Sequence, residues 1–332
     1  MTSPRQRAIA EFVLDHLVWF MLAVVLLVFS IFVPNFFQIG IFANIVEQST
    51  FVGVMAIGLA ILIMAGHMDL SVESVMALTA MITGILFCSR GIGLGLTLEP
   101  AWLNIPASLL LVFAAGGIIG LSNGLLVVKL KMNAFNVTLA SYIWVRGLVL
   151  ALSGGGSAQG LDPALRSIGI DFFGLLPLHA LLAIVAFVVS SFVMSKTPFG
   201  RHLILIGGNA TAAFRAGIPV DRLTLIGFAL AGMVAAFAGW LLAIRTSGAT
   251  AGLGSGMLFN AFAAVVIGGV SLKGGIGRLP GVYAGVLLLS SIHTAINLMG
   301  LPAHYTQVIL GLLVLAAVLL DTLKLQIRQR FA

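Results

Sequence analysis

The sequence predicts an all-α integral membrane protein with about ten transmembrane helices in a single domain over residues 1–332. Of the 332 residues, 60% are hydrophobic and 8% are charged, and the mean hydropathy is +1.17. A soluble domain carries about 25% charged residues, so this composition excludes an ordinary soluble protein. Since roughly 20 apolar residues cross the hydrocarbon core as a helix, the chain has room for about eight to ten spans and little else.

Hydropathy gives the order of these spans along the chain. The apolar run after Arg5 and Arg7 ends at 33–35 without a small-residue cleavage site, so we expect an uncleaved first span. Two boundaries stay open. Residues 65–73 form either a tight cytoplasmic turn or a broken helix that lines a cavity, and 244–280 is rich in glycine throughout. The predicted spans are 17–33, 44–65, 70–88, 105–127, 134–152, 177–194, 222–243, 256–270, 280–298 and 305–321.

Basic residues predict the orientation of the chain. Ten crossings place both termini on one side, and a cytoplasmic N-terminus puts thirteen of the seventeen Lys and Arg residues in cytoplasmic segments. The segments on the outer side of the membrane hold Arg90, Arg166 and Arg245, and Arg146 falls within a span. Because basic residues near span ends are retained in the cytoplasm, both termini are expected there. This topology and attraction to anionic membrane lipid explain the net charge of +7, without a nucleic-acid partner.

A basic loop at about 195–222 is expected to face the cytoplasm and to contain a short helix. Asn209 or Thr211 can serve as its N-cap, and the alanine-rich run that follows favours helix. Gly217, directly before Ile218-Pro219, is a natural stop.

This short helix would present Phe214 on one face. The chain contains nothing that could hydrolyse a nucleotide, so the helix suggests where a soluble partner supplies energy. The alternative is a helix that lies flat on the lipid surface, with Arg201, Arg215 and Arg222 on lipid phosphates.

Polar groups within the predicted spans are candidates for a translocation pathway, because a charge at membrane depth is costly. Asp69 and Glu73 would share one face of a helix and could carry protons or bind a polyhydroxylated substrate. Alternatively, Asp69 with Ser71 caps the helix that follows. Arg146 could pair with an acid, line the pathway or extend toward the interface. Further candidates, which could equally form interhelical hydrogen bonds, are Asn136, Thr138 and Ser141.

Other features are interpreted as structural. Most of the 39 glycines, including Gly116, Gly117 and Gly120, are expected to let helices pack closely in lipid. The single cysteine, Cys88, is expected to be a buried thiol. The histidines lack metal-ligand spacing, 270–275 lacks the spacing of a phosphate loop, and no catalytic grouping can be assembled, so neither a metal site nor an enzyme is predicted.

Several motifs together resemble one family over nearly the whole chain. They are Ala65-Gly66-His67-Met68-Asp69-Leu70-Ser71-Val72, Thr138-Leu139-Ala140-Ser141 through Arg146-Gly147, Thr197-Pro198-Phe199-Gly200-Arg201 with Ile206-Gly207-Gly208-Asn209, Val266 through Gly275, Tyr305 through Gly311, and Leu319-Leu320-Asp321. In these the chain resembles the membrane permease subunit of bacterial sugar ATP-binding-cassette (ABC) importers, the group with ribose, xylose, arabinose and autoinducer-2 permeases.

The resemblance implies a ten-helix permease of the bacterial inner membrane that pairs with a second permease chain, identical or different. It also implies two cytoplasmic ATPase subunits and a periplasmic sugar-binding protein as partners. No cofactor is then expected on this chain, because ATP and Mg²⁺ bind the ATPase. The resemblance further assigns a coupling helix that docks on the ATPase, with contact residues Gly207, Gly208, Asn209, Ala213, Phe214, Arg215, Gly217 and Ile218.

The chain departs from the family pattern at Glu73, where glycine is usual, and at His67, so the particular sugar stays open. The rival hypothesis is a secondary transporter driven by protons or sodium, with Asp69 and Glu73 as its coupling carboxylates. Such a transporter would need no soluble partner.

Overall fold

The computed structural model describes residues 4–172, 174 and 176–302, together with eight separate residues between 305 and 319. The side chains of residues 4–15 are not described, and most of the predicted span at 305–321 lies outside the described residues. The described part of the chain is mostly helical. It is a multi-pass helical bundle.

Six segments in this part are long and apolar enough to cross a membrane. They are α2 (Ile39–Met64), Ala101–Lys129, which joins a short 3-10 turn (Ala101–Leu103) to α4 (Asn104–Lys129), α5 (Ala134–Ser153), α7 (Leu178–Lys196), α10 (Val220–Thr246) and α12 (Leu279–Leu298).

Three further apolar helices are shorter: the stretch His16–Phe32 within α1 (Pro4–Phe32), α3 (Val72–Phe87) and α11 (Met257–Ile267). With 11 residues, α11 is only about 16 Å long, which is roughly half the hydrocarbon thickness of a bilayer. The prediction of a helical membrane protein is confirmed, whereas the count of ten spans is not.

Short strands, which the sequence analysis did not predict, join the loops at one end of the bundle. β1 (Cys88–Gly91), β2 (Ser157–Leu161) and β5 (Gly248–Thr250) form an antiparallel sheet in the order β1-β2-β5. These strands follow α3, α5 and α10, so those three helices end on the same side. Between β2 and α7 lie α6 (Pro163–Arg166), a 3-10 turn (Ser167–Gly169) and the pair β3 (Asp171–Phe172) and β4 (Leu176–Pro177).

The connection between α7 and α10 contains two short helices, α8 (Pro198–Gly208) and α9 (Ala210–Arg215). α9 contacts the beginning of α10, whereas β5 follows the end of α10. Because α10 has 27 residues and is roughly 40 Å long, α9 and the β-sheet lie at opposite ends of the bundle.

The core is built on α2 and α10. α2 is buried almost continuously from Gly53 to Met64 and packs against α7, α10, α11 and α12. α10 also packs against α4, where a Cβ on Gly116 would clash with the Gly232 carbonyl and one on Gly120 with the Phe228 carbonyl. The predicted packing role of these α4 glycines is therefore confirmed.

Cys88 begins β1 and is fully buried, as expected from the sequence. Burial raises the pKa of its thiol to about 11. The thiol therefore stays protonated, and unreactive, near neutral pH.

Candidate functional site

A buried chain of hydrogen bonds surrounds the beginning of α3. The Asp69 carboxylate accepts hydrogen bonds from the backbone N–H of Ser71 at 2.8 Å and from its hydroxyl at 2.6 Å. The Asn123 amide of α4 donates to the Ser71 hydroxyl at 3.0 Å and accepts from the Ser141 hydroxyl of α5 at 2.5 Å. Asp69 is only 1% exposed, and its partners lie within its own turn. Since Ser71 precedes α3, these bonds close a local turn before the helix and do not cap it, so the predicted cap is not confirmed.

Thr138 holds the same loop from α5. Its hydroxyl accepts a hydrogen bond from the backbone N–H of Leu70 at 3.1 Å and lies 3.3 Å from the Met68 carbonyl. Asn136 is exposed and lies apart from this network. The structure therefore brings together Asp69, Ser71, Thr138 and Ser141, but not Asn136.

Glu73 binds the beginning of another helix. Its Oε2 accepts a hydrogen bond from the backbone N–H of Leu258, the second residue of α11, at 2.9 Å, and its Oε1 lies 3.4 Å from the Tyr142 hydroxyl. The side chain is 2% exposed. A carboxylate at a helix N-terminus satisfies a free N–H group and complements the helix dipole. Because α3 begins only at Val72, Asp69 and Glu73 do not share a helix face as considered from sequence.

Arg146 binds the segment just before α11. From the middle of α5, its guanidinium donates to the Leu253 carbonyl at 3.3 Å and to the Ser255 hydroxyl. Because Arg146 lies in the middle of α5, its bonds to Leu253 and Ser255 mean that the chain re-enters the bundle after β5. α11 is therefore a half-helix that begins at membrane depth, as in helices that line transport pathways.

The loop at 65–71 also enters the bundle. The His67 ring lies 5.7 Å from that of Phe228 of α10, and Ser71 is level with Asn123, which lies six residues, or roughly 9 Å, before the end of α4. The chain reverses direction here, from the end of α2 beside α8 to α3, which ends at the β-sheet. The segment is therefore a turn, as in the first alternative, and its last residues lie inside the bundle.

The short helix expected in the loop at 195–222 is present as α9. The Asn209 side chain accepts a hydrogen bond from the backbone N–H of Ala212 at 2.9 Å, so it is the N-cap. Gly217 follows the helix with a φ of +82°, and the backbone N–H of Ile218 donates to the Ala213 carbonyl at 3.1 Å. The predicted cap and stop are both confirmed.

α9 has a buried side and an exposed side. Ala213 and Ile218 are buried and fix the helix to the protein. Phe214 is 71% exposed, and the neighbouring Arg215 is exposed as well. A large exposed aromatic side chain on an anchored helix is suited to docking.

Backbone contacts among glycines connect α8 to two other segments. The Gly275 N–H donates to the Met64 carbonyl at the end of α2 at 2.9 Å. Gly207 lies against this hydrogen-bonded pair, and an added Cβ would clash with the Met64 carbonyl oxygen and lie 2.7 Å from the Gly275 nitrogen. We call this set of residues the glycine junction: Gly66, Gly207, Gly208, Gly274 and Gly275. It joins α8 to the end of α2 and to the α11–α12 loop.

Some residues of these sites have no recognised signal in the sequence. Asn123 is not among the candidates chosen from the sequence, although an amide within a span is itself a signal of interhelical hydrogen bonding. Tyr142 had no distinguishing local pattern. The approach of Gly66 and Gly274 to Gly207 could not be predicted, because these segments are distant in sequence.

A bundle of apolar helices that contains a half-helix and non-helical segments at membrane depth is typical of transport proteins. The chain matches the family model described as "Branched-chain amino acid transport system / permease component" over residues 41–318. It therefore belongs to this family of permease components.

Its relatives include carbohydrate permeases. The chain is 34% identical over 306 residues to the ribose import permease protein RbsC of Bacillus subtilis, with 91% of each chain covered. It is 36% identical over 303 residues to the L-arabinose transport system permease protein AraH of Escherichia coli, with 91% of this chain and 88% of the relative covered. The RbsC of Haemophilus influenzae is 31% identical over 319 residues. No solved structure matches the chain significantly.

Proposed function

We propose that this chain is the transmembrane permease subunit of a bacterial ABC importer for a sugar or related polyol. A separate cytoplasmic ATPase drives it, a periplasmic binding protein delivers the substrate, and a second permease chain completes the pathway. The relatives named for ribose and L-arabinose import support the substrate class. The observation that carries the mechanism is the anchored helix α9, which exposes Phe214 and contacts α8, the helix that holds Gly207 and Gly208 of the glycine junction.

In this proposal α9 is the coupling helix. ATP binding displaces the ATPase surface that holds Phe214, and α8 moves with α9. Gly207 contacts the backbone of Met64 and Gly275 without an intervening side chain, so the displacement reaches α2 and the α11–α12 loop directly. ATP can favour one of two conformations of the permease only if the contact between α9 and the ATPase differs between those conformations.

The orientation follows from the same assignment. If α9 faces the cytoplasm, then the β1-β2-β5 sheet at the other end of α10 faces the periplasm. The binding protein then docks on the face that carries this sheet, and both termini are cytoplasmic. ATP and Mg²⁺ bind the partner ATPase, and this chain catalyses no reaction itself.

The rival mechanism uses Asp69 and Glu73 as proton- or sodium-coupling carboxylates. In the structure these carboxylates accept hydrogen bonds from Ser71 and Leu258 at the beginnings of two helices. Such bonds account for both acids without ion coupling. Family membership also favours the importer.

Uptake in proteoliposomes tests the proposal. Vesicles that contain this chain, its ATPase and its binding protein are supplied with labelled ribose, L-arabinose and other pentoses, hexoses and polyols, with and without a protonophore. We expect uptake of at least one sugar that requires ATP and the binding protein and is insensitive to the protonophore. Uptake by this chain alone that collapses with the proton gradient would instead establish the secondary transporter.

A further inference from the structure

A cavity of about 410 Å³, lined by both polar and apolar side chains, lies between α2, α10, α11 and α12, on the side of the bundle that carries the β1-β2-β5 sheet. Arg245 lies one residue before the end of α10 and Met257 begins α11, so the cavity is next to the half-helix. None of the seven pathway residues proposed from sequence lines it.

An ion pair forms part of its wall. The Arg245 guanidinium binds the Glu47 carboxylate, and the His179 ring of α7 lies 3.6 Å from the same carboxylate oxygen. Phe51, a further lining residue, stacks on the His179 ring with the ring centres 5.7 Å apart. Charged groups within membrane helices are costly and usually mark a pathway. The Glu47 and Arg245 side chains are 21% and 51% exposed, so the pair is open to the cavity and not sealed in the core.

The remaining wall is amphipathic. Its neutral polar side chains come from four helices: Asn44, Gln48, Thr246, Asn260, Ser290 and His293. Between them lie the apolar side chains of Val52, Leu242, Met257, Val286 and Leu289. Amide and hydroxyl groups donate and accept hydrogen bonds, as a neutral polyol requires, whereas the apolar surface suits the C–H face of a sugar ring. A volume within the range of roughly 300–1,000 Å³ is ordinary for a small-molecule site.

α11 connects this cavity to the glycine junction. Met257 and Asn260 in its first turn line the cavity, and the loop after its last residue, Ile267, leads to Gly274 and Gly275. A displacement of α8 would therefore reach the cavity wall through an 11-residue helix. This geometry couples the occupant of the cavity to α9.

We propose that this cavity is the site that a monosaccharide occupies while it crosses the membrane, with Glu47, Arg245 and Asn260 hydrogen-bonding its hydroxyl groups. This inference rests on the proposed function, since it assigns the substrate site of the same transporter. It differs from the sequence-based hypothesis, which placed the pathway at Asp69 and Glu73.

The test uses the complete complex of permease, ATPase and binding protein in proteoliposomes. Asn260→Leu removes a hydrogen-bonding group at nearly constant volume, and Ser290→Leu fills part of the cavity. Ser122→Leu is the matched control, because Ser122 is exposed on α4 and bonds only within its own helix. We expect both cavity variants to lose at least about tenfold in the rate of sugar uptake, while ATPase association stays normal and Ser122→Leu transports like the unmodified chain.

A second measurement reports occupancy directly. In a Cys88→Ala background, Asn260→Cys is labelled with a small methanethiosulfonate reagent, with and without the transported sugar. We expect the sugar to slow labelling when the complex is turning over, whereas a sugar that is not transported has no effect.

The outcomes separate the two proposals. If the unmodified complex takes up no sugar with ATP, the proposed function fails. If it transports normally but Asn260→Leu and Ser290→Leu match Ser122→Leu, or if the transported sugar does not protect Asn260→Cys, the function stands and the assignment of this cavity is wrong.

Discussion

At the scale of single residues, the buried polar side chains beside α3 act mainly through the backbone and through one another. Asn123 receives the hydrogen bond of Ser141 and donates to Ser71, so one amide joins α4, α5 and the loop before α3. Glu73 similarly joins α3 to the first turn of α11. These contacts hold broken segments in place inside the membrane, where water cannot satisfy their polar groups.

We expect Asn123→Ala to destabilise the protein by about 1–3 kcal/mol, because it removes two buried hydrogen bonds, one to the Ser71 hydroxyl and one from the Ser141 hydroxyl. Ser122→Ala is the neighbouring control, since its hydroxyl is exposed. Thermal unfolding in detergent measures both. An equal melting temperature for the two variants would mean that the Asn123 network contributes little.

Glu73 distinguishes helix capping from ion coupling. Glu73→Gln keeps an oxygen that can accept from the Leu258 N–H but removes the charge, whereas Glu73→Ala removes both. We expect Glu73→Gln to retain most ATP-driven uptake, and Glu73→Ala to lose stability by about 1 kcal/mol, as for loss of a helix cap, together with uptake. Equal loss of uptake in both variants, with stability unchanged, would point to a requirement for the charge.

At the scale of elements, two neighbouring glycines of α8 provide a matched pair. A Cβ on Gly207 would meet the Met64 carbonyl and the Gly275 nitrogen, whereas a Cβ on Gly208 would meet only the Gly275 Cα at 3.9 Å. Both residues are helical, so alanine favours the helix equally at the two positions. Only Gly207→Ala should separate α8 from α2.

We therefore expect Gly207→Ala to reduce ATP-driven uptake about tenfold, because forcing a methyl group into a packed contact costs about 1–3 kcal/mol. Gly208→Ala should transport normally. Uptake and ATPase rate, measured together in proteoliposomes, check this expectation. Normal transport by Gly207→Ala, or equal loss in both variants, would remove the glycine junction from the coupling route.

The elements that the sequence predicts well are those with local signals. The Asn209 cap, the Gly217 stop and the long apolar helices all follow from residues adjacent in the chain. The half-helix α11 does not, because its beginning depends on Glu73 and Arg146, which come from α3 and α5. The cavity could not be predicted for the same reason: Glu47 and Arg245 are far apart in sequence, and neither has a local motif.

At the scale of the whole molecule, α9 and the β-sheet lie at opposite ends of α10. The orientation predicted from basic residues, with α9 in the cytoplasm, stays a prediction. Cysteine labelling tests it in a Cys88→Ala background. We expect a membrane-impermeant maleimide to label Gln159→Cys, in β2, from the periplasmic side, and Thr211→Cys, in α9, only from the cytoplasmic side.

The unmodified chain is the control, since its only cysteine is buried and has a thiol pKa of about 11. It should remain unlabelled until it is denatured. Labelling of both introduced cysteines from one side would contradict the proposed topology and, with it, the assignment of α9 as the coupling helix.

The central claim is that a soluble ATPase drives this permease through α9. The most direct test is co-purification of the ATPase with the permease from membranes that carry Phe214→Asp, with Phe214→Leu as the apolar control. Because Phe214 is exposed, both variants should insert and fold normally. We predict that Phe214→Asp loses the ATPase and ATP-driven uptake, whereas Phe214→Leu retains both. Normal ATPase association with Phe214→Asp would contradict the account.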